Sequence, residues 1–141
     1  MNIVLDTNVL ISALIKESAK RRLIVELDDA LFFPSISFKE VYKHKNLILE
    51  KSGLKEHEFE EIFTKLKEYI NLISEKELRP NLTKAMAVME KIDATDVVFI
   101  AAALSVPNGV IWSDDKDFKR QNIVPVFNTQ ELIKYSKKRG I

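Results

Sequence analysis

Asp6, Glu40, Asp96, Asp114, Asp115 and Asp117 are the residues whose types and places in this chain could do chemistry together. Asp6 follows Ile3-Val4-Leu5, a short apolar run suited to a strand buried on both faces, and precedes apolar residues at helical spacing from Val9. Asp114 and Asp115 follow a second such run, Val110-Ile111-Trp112. In an open parallel sheet, ligands bind outside the carboxyl ends of the strands, so these acids face one edge. Asp96 opens Val97 to Leu104, a helix so apolar that it must be buried nearly all round, and Glu40 opens the helix after the second strand. Carboxylates gathered there repel one another unless a positive charge sits between them. Oxygen-only ligand sets hold hard divalent cations such as Mg²⁺ or Mn²⁺. One or two such ions can activate a water and steady the leaving oxygen of a phosphodiester.

Each acid alone also has an ordinary explanation. Asp6 or Thr7 can cap the following helix. Glu40 stands three residues after Ser37, the spacing of a capping box. Asp96 falls in a first helical turn, where the helix dipole favours negative charge. Asp114, Asp115 and Asp117 can be turn acids. What sets them apart is their convergence on one edge.

The elements that must position them are strands at Ile3 to Leu5, Ala30 to Phe33, Val110 to Trp112 and Val124 to Phe127, the last placed at an edge by Pro125, and a further strand at Asn71 to Ser74, a stretch that could also be the last turn of the helix before it. Between them the spacing predicts helices: one from Val9, one capped by Ser18, and one running from Ser37 to Ser52-Gly53. Further helices are predicted through Phe59, Phe63 and Ile70, from Leu82 to Ile92, from Val97 to Leu104, and from Gln130 to Lys138 with Thr129 as cap. Strands alternating with helices predict a three-layer α/β/α fold with a central, mainly parallel sheet, and 1–141 as a single domain.

Composition sets outer limits. The 141 residues, 46% hydrophobic, suffice for one core. Lys and Arg number 22 against 21 for Asp and Glu, so any nucleic-acid surface is a local patch. Without cysteine there is neither a disulfide nor a thiolate metal site. No signal peptide or membrane span is visible, and the expected place of work is the cytoplasm.

On these residues the chain resembles the PIN-domain family. The motifs are Asp6-Thr7-Asn8-Val9-Leu10, Glu40, Asp96 with Ala101-Ala102-Ala103, and Ser113-x-Asp115-Lys116-Asp117-Phe118. The resemblance implies a metal-dependent endoribonuclease, many members being toxins of VapBC-type toxin–antitoxin pairs. It implies a catalytic quartet of Asp6, Glu40, Asp96 and Asp115, with Asp6, Asp96 and Asp115 holding Mg²⁺ or Mn²⁺. Asp117 is then an accessory acid, and Asn8 and Ser113 stand where the family has small polar residues bonding to the first carboxylate. Ser113 replaces the commoner threonine, and Asp114 is an extra acid whose place could be exchanged with that of Asp115. Implied partners are an RNA substrate, an antitoxin protein and a second copy of the chain in a homodimer.

Lys20, Arg21, Arg22, Lys84 and Lys116 are candidates to meet phosphates. His44, one turn after Glu40, could assist proton transfer but reads first as a surface residue, and His57 as a bystander. Trp112 and Phe118 read as core. A phosphoacceptor domain would need a central Asp after a middle strand, where Phe33-Pro34-Ser35 offers none, and a dehalogenase-type phosphatase would need Asp where Asn8 stands. The competing reading from another class is a non-catalytic PIN module that binds RNA or a protein.

Overall fold

Asn2–Leu5 forms the strand on which the sheet is built, β1. A computed structural model describes residues 1–89 and 91–140. In it β1 lies between β2 (Ala30–Pro34) and β4 (Gly109–Trp112), with β3 (Ile70–Ile73) and β5 (Val126–Phe127) at the edges. The order is β3-β2-β1-β4-β5, and every pairing is parallel. Leu5 stands opposite Trp112, so Asp6 and Ser113 leave adjacent strands side by side. Successive strands run outward from β1 to β3, and the chain then returns to the other side of β1. The gap between β1 and β4 is thus the point where strand order reverses, the usual ligand crevice of such sheets.

Thr7–Ile15 (α1) and Ala19–Glu26 (α2) join β1 to β2, and Phe38–Lys43 (α3), Lys45–Ser52 (α4) and Glu56–Lys67 (α5) join β2 to β3. Glu75–Leu78 (α6), Leu82–Met89 (α7) and Val97–Leu104 (α8) lie in the return to β4, and Thr129–Lys138 (α9) follows β5. Parallel crossovers are right-handed, so the outward and returning helices cover opposite faces. α8 packs across β4, β1 and β2. Its Ile100, Ala101 and Ala102 are fully buried, and the small side chains let the helix sit close to the sheet. At the start of β4, a Cβ on Gly109 would fall 2.1 Å from the Ala103 carbonyl oxygen, so only glycine fits under α8 there.

Several boundaries differ from the sequence expectation. The helix predicted from Ser37 to Ser52 is two helices, parted at His44 (φ −95°, ψ 9°), whose ring bonds back to the Glu40 carbonyl. α7 is described over Leu82–Met89, and Ile92 and Asp93 both donate to the Met89 carbonyl as the chain turns; Glu90 lies outside the described residues. α9 is capped by Asn128, in a reciprocal box with Glu131, because Thr129 is engaged elsewhere. α6, not anticipated, is one turn held by the Ser74–Glu77 box. β5 is only two residues long, and the Pro125 carbonyl beside it accepts from Ile111 N–H.

Candidate functional site

Asp6 is both a helix cap and an acid at the strand end. Its Oδ1 accepts from Val9 N–H at 2.8 Å, which caps α1, and its Oδ2 accepts from the Ser113 hydroxyl. That hydroxyl in turn accepts from Asp115 N–H at 3.0 Å, and Asp115 Oδ1 accepts from Asp117 N–H at 2.9 Å. A chain of hydrogen bonds thus runs from the end of β1 into the loop after β4. Burial pushes the Asp6 carboxyl up to about 6, against the opposing bonds from Ser113 and Val9 and with the help of the nearby Asp114 and Asp115 charges.

Asp96 closes a short 3₁₀ turn, Ala94–Asp96, that leads into α8. Its Oδ2 is buried and has no hydrogen-bond partner among the described residues. Burial, followed by the like charges of Asp93, Asp115, Asp6 and Asp117, pushes this carboxyl up to about 7. Asp93 is held below the usual carboxylate range because it accepts from the Thr95 hydroxyl at 2.7 Å and from Thr95 N–H at 3.0 Å. Asp93, Asp96 and Asp115 each offer an oxygen within 4.8 Å of the others.

Asp6, Glu40, Asp96 and Asp115 all line one cavity of about 450 Å³ at the carboxyl edge, together with Asn8, Lys39 and His44. A second hollow, about 400 Å³, is lined by Asp6, Asn8, Lys20, Asp114 and Asp115. The two share Asp6, Asn8 and Asp115, so they form one groove across the end of the sheet. Glu40 is exposed, and Ser37 makes no side-chain cap, so no capping box draws this carboxylate away from the cavity.

The structure separates residues that the sequence left together. Asp114 turns toward α9: its two oxygens accept from Thr129 N–H and from the Thr129 hydroxyl, both at 2.8 Å, and Lys20 Nζ lies 3.3 Å away. Burial would raise its pKa, but the Thr129 bonds and Lys20 outweigh it and hold the carboxyl below its ordinary range. Asp117 pairs with Arg120 at 3.8 Å. Asn8 lines both hollows but makes no side-chain bond to Asp6 among the described residues; Val9 N–H is in that place.

Of the candidate phosphate contacts, Arg21 is otherwise occupied. Its guanidinium donates to the carbonyls of Ala13 (2.7 Å) and Leu14 (3.4 Å), meeting two of the carbonyl groups that α1 leaves open at its end. Lys20 borders the second hollow, while Arg22, Lys84 and Lys116 are exposed outside both. Two residues on the site had not been assigned a role there. Asp93 joins Asp96 and Asp115 in the close acid group, while Asp6 lines the same cavity with its oxygens bonded to Val9 N–H and the Ser113 hydroxyl. Asp93 also caps the Ala94–Asp96 turn by accepting from Thr95 N–H, an ordinary use for an acid in that place. Lys39, next to Glu40, lines the cavity wall.

The donor set is all carboxylate, one of its buried oxygens lacks a partner among the described residues, and two acids are pushed toward neutrality by burial and mutual repulsion. These residues fit a hard divalent cation. The family model described as "PIN domain" matches residues 4–136 of the chain. No curated protein shows significant similarity to it.

Proposed function

The chain belongs to the PIN-domain family, and on that premise we propose that it is an Mg²⁺- or Mn²⁺-dependent endoribonuclease acting on single-stranded or looped RNA. PIN domains are generally nucleases, and this chain carries the acidic group such chemistry needs. The observation that supports the reading most is Asp96: its buried Oδ2 has no partner among the described residues while like charges surround it. Leaving such a group unsatisfied costs about 1–3 kcal/mol or more, which a bound cation would offset.

Asp93, Asp96 and Asp115 would hold the ion, with Asp6 and Glu40 beside it. A divalent cation there supplies an activated water and charge stabilisation for the departing oxygen. Asp96 is held rigidly because it begins the most buried helix. Ser113 orients both Asp6 and the Asp115 loop through one hydroxyl. Glu40 keeps its carboxylate oxygens free of protein hydrogen bonds among the described residues and can take a proton from a water in the cavity.

A panel of structured and unstructured RNAs tests the reading. Wild type should cleave in Mg²⁺ or Mn²⁺ and stop with chelator, and Asp96→Asn should lose activity by orders of magnitude while staying folded. Equal cleavage by both proteins overturns the assignment of Asp96, and no cleavage by wild type favours a module that only binds. A VapBC-type toxin role adds one requirement, a partner antitoxin. Co-purification with the product of a neighbouring reading frame tests it.

A further inference from the structure

The cavity wall made by α3 carries two side chains that a cation site has no need of. Lys39 lies in the first turn of α3 and His44 just beyond its end, and both line the hollow with Glu40. His44 Nδ1 is 2.8 Å from the Glu40 carbonyl oxygen. A carbonyl can only accept, so Nδ1 carries the proton, and in the singly protonated ring Nε2 is the acceptor. Nε2 has no partner among the described residues. The imidazole is thereby fixed to the helix that bears Glu40. Lys39 makes no ion pair among the described residues, whereas Lys20 serves Asp114, Arg21 serves α1 and Arg120 serves Asp117.

A wall of carboxylates repels a polyanion, so a strand entering this groove needs a cation beside the acids to hold its flanking phosphate. A fixed acceptor needs a donor. Along a polynucleotide's sugar–phosphate backbone the 3′ and 5′ oxygens are esterified, and the 2′-hydroxyl is the one group that can donate; DNA lacks it. We propose that Lys39 and His44 form a sugar–phosphate subsite, Lys39 meeting a backbone phosphate and His44 Nε2 accepting from a ribose 2′-hydroxyl, which selects RNA over DNA. This rests on the nuclease reading and adds to it the residues that choose the sugar.

The test is fluorescence anisotropy in Mg²⁺ with a cleavage-resistant phosphorothioate oligouridylate and its deoxy counterpart. Wild type should bind the RNA form roughly two- to tenfold more tightly, the worth of one hydrogen bond. His44→Phe should erase that ratio with little change in DNA affinity, and His44→Gln, which keeps an acceptor oxygen, should retain part of it. Lys39→Gln should weaken both forms alike and lower the salt slope by about 0.7, one phosphate on a single strand. Lys138→Gln, at the far end of α9, serves as the control.

An unchanged ratio in His44→Phe, or equal loss of both ligands, overturns the subsite. If His44→Phe fails to fold, single 2′-deoxy substitutions along the RNA decide the matter with wild type: one sensitive position supports the subsite, and none overturns it. RNA cleavage by wild type with no such sensitivity removes this inference alone. Failure of wild type to bind or cut either polymer removes the nuclease reading with it.

Discussion

The Ser113 hydroxyl donates to Asp6 Oδ2, joining residues 107 positions apart at the ends of neighbouring parallel strands. The same oxygen receives Asp115 N–H, so one buried hydroxyl sets the positions of two acids. Neither bond is available to an alanine, and both are available to a threonine.

Ser113→Ala should therefore destabilise the fold by about 1–3 kcal/mol, the cost of a buried carboxylate losing its donor. Asp6 should titrate higher still, because the Ser113 bond is one of the influences that lower its pKa. Ser113→Thr should keep stability and cleavage close to wild type. Urea titrations with NMR titration of the Asp6 carboxyl check both.

Asp114 and Asp115 should part company when each is changed to Asn. Asp114→Asn disturbs the Thr129 and Lys20 contacts and should cost about 1–2 kcal/mol of stability, with activity changed only a few-fold. Asp115→Asn should lower cleavage by orders of magnitude while the apo protein melts at the same temperature or higher, since it relieves repulsion on Asp96. Melting curves beside single-turnover assays separate the two.

The apo protein should lose stability as pH rises from about 4 to about 7. Asp6 and Asp96 titrate near 6 and 7 in the native state against 3.8 ordinarily, so in this window the native state binds more protons than the unfolded one. Stability then falls with pH and stays low above the native pKa values. Mg²⁺ or Mn²⁺ should restore it, by about 2.7 kcal/mol at roughly a hundredfold excess over Kd. The gain should be larger at alkaline than at acid pH, because the ion competes with protons for the same oxygens. Asp6→Asn should flatten the pH dependence and weaken the metal effect. Melts across pH with metal or chelator decide it, and identical curves with and without millimolar metal would count against the site.

Gly109→Ala should destabilise by about 1–3 kcal/mol or more, because the added methyl meets the Ala103 backbone and α8 must move off the sheet. As Asp96 begins that helix, cleavage should fall along with the melting temperature.

How much of this could be read from the sequence depended on whether a residue's role was local. The strand ends at Leu5 and Trp112 and the apolar run of Val97 to Leu104 are properties of short stretches, and the parallel order follows from their alternation with helices. Asp114 and Asp115 sit at the same strand end, and only the distant Thr129 shows which one turns away. Arg21 reads as a basic surface residue until the bend between α1 and α2 lays it against two carbonyls. The break at His44 was hidden because its ring competes for a backbone carbonyl, which no apolar periodicity records.

The place of β1 in the middle of the sheet also sets a timetable. Asn2 pairs with Ala30 on one side and with Gly109 on the other, so β1 must wait for the much later β4 before it is flanked on both sides. Closing that long loop is slow compared with forming helices. A nascent chain that has reached Leu104 already carries Asp6, Glu40, Asp93 and Asp96, yet has neither Ser113 to orient the first acid nor Asp115 to complete the close group. The groove gains its full set of acids only once the stretch through Asp115 has been translated.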